Sequence, residues 1–240
     1  MDTRMNEILY NFKNNSLTPD SSFRFHCTQC GKCCINQDDI IISPLDLFHI
    51  ARELKLTPEE VFNQYYEWYI GAESRFPIVR LKPRGSIKRC PFSKNRKCTI
   101  QKAKPTVCAM FPIGRAVLFE TENADVSPKP MIKYFYTNPG CGDNSKTQTV
   151  REWFGHFSIP LEDGFLMAWT TFQKEMMELL TEAEQTFGGR AMRQIWSPVF
   201  RILYLCYDLE EEFYPRVQKN TAKLLECMQK ILGKEQHNGN

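Results

Sequence analysis

Four cysteines stand within eight positions, Cys27, Cys30, Cys33 and Cys34 of the stretch HCTQCGKCC, and this crowding constrains the chain more than any other feature. The first three follow C-x2-C-x2-C, a spacing in which short turns direct successive sulfurs toward one point and leave backbone N–H groups free to hydrogen-bond them. Gly31 permits positive φ beside the second thiol and removes a side chain that would crowd it. The adjacent pair is different. Neighbouring side chains diverge and rarely grip one ion, so Cys34 points to a second ion, a reserve ligand or a reactive thiol.

Ten cysteines in 240 residues are about 4% of the chain, well below the density of a disulfide scaffold, and 42% hydrophobic residues suffice for a substantial core. The opening MDTRMNEILYNFKNNS has no apolar run behind a basic head, and no stretch of about 18 apolar residues occurs. These features predict a cytoplasmic protein without a membrane segment, whose thiols are reduced and serve metal or redox chemistry.

The net charge of +3 conceals a strong segregation. No acidic residue lies between Glu73 and Glu120, whereas Arg75, Arg80, Lys82, Arg84, Lys88, Arg89, Lys94, Arg96, Lys97, Lys102, Lys104 and Arg115 all do. The rest of the chain is left with 19 basic against 28 acidic side chains. A block of this kind faces water, binds an acidic protein or anionic ligand, or compensates thiolates. Cys90, Cys98 and Cys108 lie inside it, and cationic neighbours favour the metal-binding thiolate. No RNP-like aromatic motif accompanies the block, which argues against nucleic acid.

Three regions are expected: a flexible lead-in over 1–22, a cysteine-cluster metal-binding domain over 23–145 and a helical region over 146–240. The fold class is α+β, a small cysteine-rich core of short strands and loops followed by helices. SPLDLFHIARELKL starts a helix with Ser43 as N-cap, Pro44 at its first position and Asp46 supporting the cap. TPEEVFNQYYEWY repeats the device with Thr57, Pro58 and Glu60 as a capping box. Strands are expected at DIIIS, FPIVRLK, GRAVLFET and PMIKYFYT, the last two joined by ENADVSPK.

Further on, a helix to Phe187 precedes Gly188-Gly189, a second runs through AMRQIWSPVFRILYLCYDLEEEF with a kink or split at Pro198, and a third starts at Pro215. Cys206 and Cys227, among Leu and Tyr at helical spacing, read as packing residues. Phe165, Met167, Trp169, Phe172, Met176 and Met177 read as core.

The chemistry then rests on eight thiols, because Cys141 in NPGCGD joins the seven already named, and Pro91, Pro105, Pro112 and Pro139 keep the later four out of long regular elements. An all-sulfur set suits zinc or an iron–sulfur cluster and disfavours Mg²⁺ or Ca²⁺. No second C-x2-C follows, and steps of 8, 10 and 33 residues between the later cysteines are irregular for a zinc ribbon. Three-residue steps are closer to the ferredoxin run, with an echo of its Cys-Pro ending at Cys90-Pro91, so a [4Fe–4S] cluster is preferred, ahead of structural zinc and a redox dithiol. For one centre the favoured set is Cys27, Cys30 and Cys33 with one of Cys90, Cys98 or Cys108. His26 reads as an ordinary histidine, and no phosphate loop, HExxH or GxSxG motif supplies a catalytic residue.

With these residues on the page, the chain resembles the YkgJ-type cysteine-cluster family, described as a zinc- or iron-chelating domain. The resemblance runs through Cys27, Cys30, Gly31, Cys33 and Cys34, Pro44 and Asp46, Cys90-Pro91-Phe92, Cys98 and Ile100, Lys104-Pro105, Cys108, Pro112 and Cys141-Gly142. It departs at Gln101, Lys104 and Ala109, where the family pattern has an aromatic, an arginine and a basic residue. The cysteine region is also similar to flagellin lysine N-methylases, which are associated with an iron–sulfur cluster. The resemblance implies a metal centre held by Cys27, Cys30, Cys33, Cys34, Cys90, Cys98, Cys108 and Cys141. Three functions are carried forward: an iron–sulfur protein with a structural, electron-transfer or sensing role, a zinc-stabilised module with a basic partner-binding face, and an S-adenosylmethionine-dependent protein lysine methyltransferase-like enzyme.

Overall fold

The computed structural model describes residues 3–36, 40–120 and 129–234. In chain order the first half forms α1 (Thr3–Asn14), β1 (Ser16–Leu17), β2 (Ser22–His26), β3 (Ile41–Ile42), α2 (Pro44–Leu54), α3 (Pro58–Tyr65), β4 (Tyr66–Ile70) and β5 (Pro77–Leu81). There follow β6 (Ser93–Lys94), β7 (Lys97–Cys98), α4 (Thr106–Met110), β8 (Ile113–Glu120), β9 (Lys129–Tyr136), β10 (Asp143–Thr149), α5 (Val150–Gly155), α6 (Gly164–Tyr204) and α7 (Phe213–Ile231). The fold is α+β, and none of the described helices is long and apolar enough to cross a membrane.

The chain divides into two compact units, each made of two segments: Met1–Ile40 with Pro83–Ala168, and Ile41–Lys82 with Trp169–Asn240. All eight cysteines of the cluster belong to the first.

In that cysteine unit, β8 and β9 form a long antiparallel hairpin, and β1 extends it by pairing with β9. The turn segment ENADVSPK lies outside the described residues up to Lys129. β2 and β10 form a separate antiparallel pair in which Asp143 stands opposite His26 and Gln148 opposite Phe23, with a bulge between Asp143 and Thr147. The alternation SFRFH places Phe23 and Phe25 inward, against Met110, Ile113, Tyr134, Val150, Trp153 and Phe154. Trp153 satisfies its indole by donating to the Met110 carbonyl at 2.9 Å, which fixes α5 to the end of α4.

In the second unit β5 is flanked by β3 and β4 in an antiparallel sheet. Ser43 and Asp46 close a capping box on α2, as Thr57 and Glu60 do on α3. The helix started at Thr57 stops at Tyr65, earlier than its sequence suggested. Tyr66–Ile70 instead pairs residue by residue with β5, because aromatic side chains fit a half-buried pleated surface and Tyr66 becomes fully buried there.

The long α6 breaks at Gly188, where φ is 73° and ψ 164°, and not at Pro198. The missing hydrogen bond at Pro198 falls on an exposed face, while Met192, Trp196, Val199, Phe200 and Leu203 keep the other face buried and hold the helix through it. That helix ends at Tyr204, ahead of DLEEEF, and α7 begins at Phe213, so Pro215 sits in its first turn instead of starting it. Cys206 and Cys227 are both exposed, which overturns their reading as packing residues. Helical spacing fixed their neighbours in sequence but not the face they occupy: Leu224 and Met228 are the buried pair around Cys227.

Candidate metal centre

Three local devices position the cysteines. The first is the β2–β10 pair, which ends with His26 opposite Asp143 and therefore returns Cys141 beside the chain that leaves β2 as Cys27. Gly142 makes this approach possible. Its φ is +70°, and a Cβ there would lie 2.5 Å from the His26 carbonyl oxygen and 2.6 Å from Phe25 Cε2. The second device is the 3-10 turn Lys32–Cys34, entered through Gly31 at φ 73°. A Cβ on Gly31 would meet Arg96 Cβ at 3.0 Å, so this glycine lets the turn lie against the tip of the β6–β7 hairpin.

The third device ties the later cysteines to that turn. The Cys90 N–H donates to the Cys34 carbonyl at 2.9 Å and the Asn36 N–H to the Ile87 carbonyl at 3.1 Å. The Ser93 N–H then donates to the Cys90 carbonyl, and Ser93 stands opposite Cys98 across the β6–β7 hairpin. Asn95 and Arg96 form its two-residue turn, both at positive φ, as the twist of a tight hairpin demands. Buried Phe92 and Ile100 anchor the hairpin. Cys108 lies on α4, next to Ala109 and Met110, which are buried.

None of the eight thiols is in a disulfide. Among the described residues no group of three or more potential ligands is gathered closely enough to hold a metal ion. Cys33 Sγ and Cys34 Sγ are 3.9 Å apart. Cys34 also meets Cys90, and Cys30 meets Cys141.

Electrostatics follows these pairings. The contact with Cys34 pushes the Cys33 thiol up. At Cys34 the contact with Cys33 pulls down, but the contact with Cys90 and burial leave the thiol raised. Cys90, at the accepting end of this chain, is lowered by its contact with Cys34. Cys30 is lowered because its sulfur accepts the backbone N–H groups of Lys32 and Gly142. Burial, then the nearby Cys30, Cys33 and Cys27, pushes Cys141 up to about 11. Cys30 and Cys90 are thus both favoured as thiolate, the form that binds metal.

The basic block divides. Arg115 forms an ion pair with Asp163 at 2.9 Å, with both side chains largely buried, Arg80 pairs with Glu67 at 2.7 Å, and Arg75 pairs with Glu184. Lys94, Arg96, Lys97 and Lys102 are exposed. Lys104 acts on Cys33 and Lys32 on Cys30, each favouring thiolate. His26 is exposed, with Nδ1 3.4 Å from Asp143 Oδ2.

The neighbour of Cys27, Cys30 and Cys33 is therefore Cys141, where the sequence alone favoured a cysteine from the basic block. No strand was expected at Ser22–His26, where the alternation in SFRFH is the signal that could have found β2, and its partner DNSKTQT is polar throughout.

Residues 26–129 match the model of the CxxCxxCC family, whose description is "Putative zinc- or iron-chelating domain". Cys141 lies beyond that match. The uncharacterized protein MJ0661 of Methanocaldococcus jannaschii is 34% identical over 90 residues, which cover 37% of this chain and 44% of that relative. No solved structure matches the chain. Soft sulfur donors on short loops, two of them favoured as thiolates, agree in chemistry with that family description, and residues 26–129 of this chain are similar to the CxxCxxCC domains of the zinc- or iron-chelating class.

Proposed function

We propose that residues 23–145 hold a [4Fe–4S] cluster through loop cysteines and that the protein serves a structural, electron-transfer or sensing role in the cytoplasm. The observation that carries this reading is the convergence of the Lys32 and Gly142 N–H groups on the Cys30 sulfur. Hydrogen bonds to sulfur, net charge and exposure are the means by which a protein tunes such a centre. The ligands are drawn from Cys27, Cys30, Cys33, Cys34, Cys90, Cys98, Cys108 and Cys141. When bound, the cluster supplies one-electron chemistry. The chain's own residues favour thiolate at Cys30 and Cys90, and Lys32 and Lys104 bring positive charge to Cys30 and Cys33.

Protein purified without oxygen should be brown and contain iron and acid-labile sulfide in equal amounts. Colourless protein with stoichiometric zinc rejects the cluster. The exposed hairpin turn with Lys94, Arg96 and Lys97 supports a second reading, a zinc-held module that presents this basic face to an acidic protein. Such binding must weaken as salt screens it, and salt-independent binding counts against it.

A further inference from the structure

We infer that the eight thiols serve two adjacent four-thiol centres, one from Cys27, Cys30, Cys33 and Cys141, the other from Cys34, Cys90, Cys98 and Cys108. This deepens the metal-binding reading above and rests on it.

Backbone geometry separates the two sets. Asp143 opposite His26, and Gly142 packed on the His26 carbonyl, bring Cys141 to the first arm of the motif. The Cys90 N–H on the Cys34 carbonyl, and Ser93 linking Cys90 to Cys98, bring Cys90 and Cys98 to the second arm. The thiol neighbours divide in the same way. Cys141 lies near Cys30, Cys33 and Cys27, whereas Cys34 lies near Cys90 and Cys98, and Cys90 near Cys108 and Cys98. Among these neighbours the sets meet at the Cys33–Cys34 step, at 3.9 Å. The backbone segments deliver the ligands, while among the described residues no three potential ligands are gathered closely enough to hold a metal ion.

Four cysteines are what either chemistry requires, a tetrahedral zinc or a [4Fe–4S] cluster. Each such centre carries a net charge of about −2 when all four ligands are thiolates. Two side by side need counter-charge. The second set supplies a reason for the basic block, since Cys90, Cys98 and Cys108 all lie in the stretch that lacks acidic residues. Cys141, outside the matched segment, becomes a required ligand of the first centre.

The test uses the full 240-residue chain, purified without oxygen, with metal, sulfide and protein quantified together. The wild type should hold two zinc ions or two clusters per chain. Cys141→Ser and Cys98→Ser should each lower that content by half, and the double variant should remove it. A mutation-free measurement covers variants that fold poorly: graded chelation of the wild type, with alkylation of released thiols read by mass spectrometry. Cys27, Cys30, Cys33 and Cys141 should become labelled as one group and the other four as another. A single centre per chain, unchanged metal in Cys141→Ser, or release of all eight thiols as one group would overturn the two-centre arrangement while leaving metal binding intact. A wild type that binds neither zinc nor iron would overturn both readings.

Discussion

In the unit built from residues 41–82 and 169–240, Phe76, Trp169, Phe200 and Tyr204 pack ring against ring, and every one is buried. In the cysteine unit only Gly31 is buried between Cys27 and Asn36, and Phe92, Ile100 and Pro105 are the buried residues from Arg84 to Cys108. Apolar area removed from water holds the first arrangement together. The second has too little of it to fix its own loops, which are tied by a few backbone bonds and by glycines that allow close approach. The contrast teaches where a cysteine matters: in the well-packed unit Cys206 and Cys227 sit exposed at the margin, and in the thinly packed loops every cysteine has another nearby or sits beside the core.

The comparison is broken most severely at the thiols. Cys30→Ser should abolish binding at its centre and destabilise the cysteine unit by several kcal/mol, within the ~10 kcal/mol scale of structural metal sites. Metal analysis and hydrogen exchange check this, and unchanged metal and exchange would contradict it. Leu47→Ala, at a fully buried position of the other unit, should cost about 2–5 kcal/mol in denaturant unfolding and leave metal content alone. Gly142→Ala should cost about 1–3 kcal/mol in backbone strain alone. It should also weaken metal binding, since the added Cβ pushes β10 and Cys141 from His26.

A smaller effect sharpens the same contrast. Glu60 lies below the ordinary carboxylate range because its carboxylate accepts the Thr57 backbone N–H and hydroxyl. Its contribution is complete above the unfolded pKa and is lost as pH falls through the lower folded value. Glu60→Ala should therefore be less stable than wild type at neutral pH, and the difference should vanish in strong acid, with metal content unaffected at neutral pH. The smallest change belongs to Cys227→Ser, which should stay within about 0.5 kcal/mol of wild type and keep all metal.

Both capping boxes were legible because a cap is a local device: Ser43 with Asp46, and Thr57 with Glu60, lie three residues apart and need no partner from elsewhere. The β8 and β9 strands were legible through their β-branched and aromatic runs. The exposure of Cys206 and Cys227, the strand at Tyr66–Ile70 and the unbroken helix at Pro198 were not. Each depends on which face meets a neighbour, and burial outweighs local preference.

The sequence by itself pointed to metal or redox chemistry, since eight thiols, three of them inside a block free of acidic residues, suit soft metals and thiolates. Only the tertiary structure decided which thiols are neighbours. That decision hangs on a polar strand pairing with β2 across more than a hundred residues of chain and on one backbone hydrogen bond from Cys90 to Cys34. Neither contact leaves a periodic trace in sequence, because each is made by main-chain groups that every residue carries.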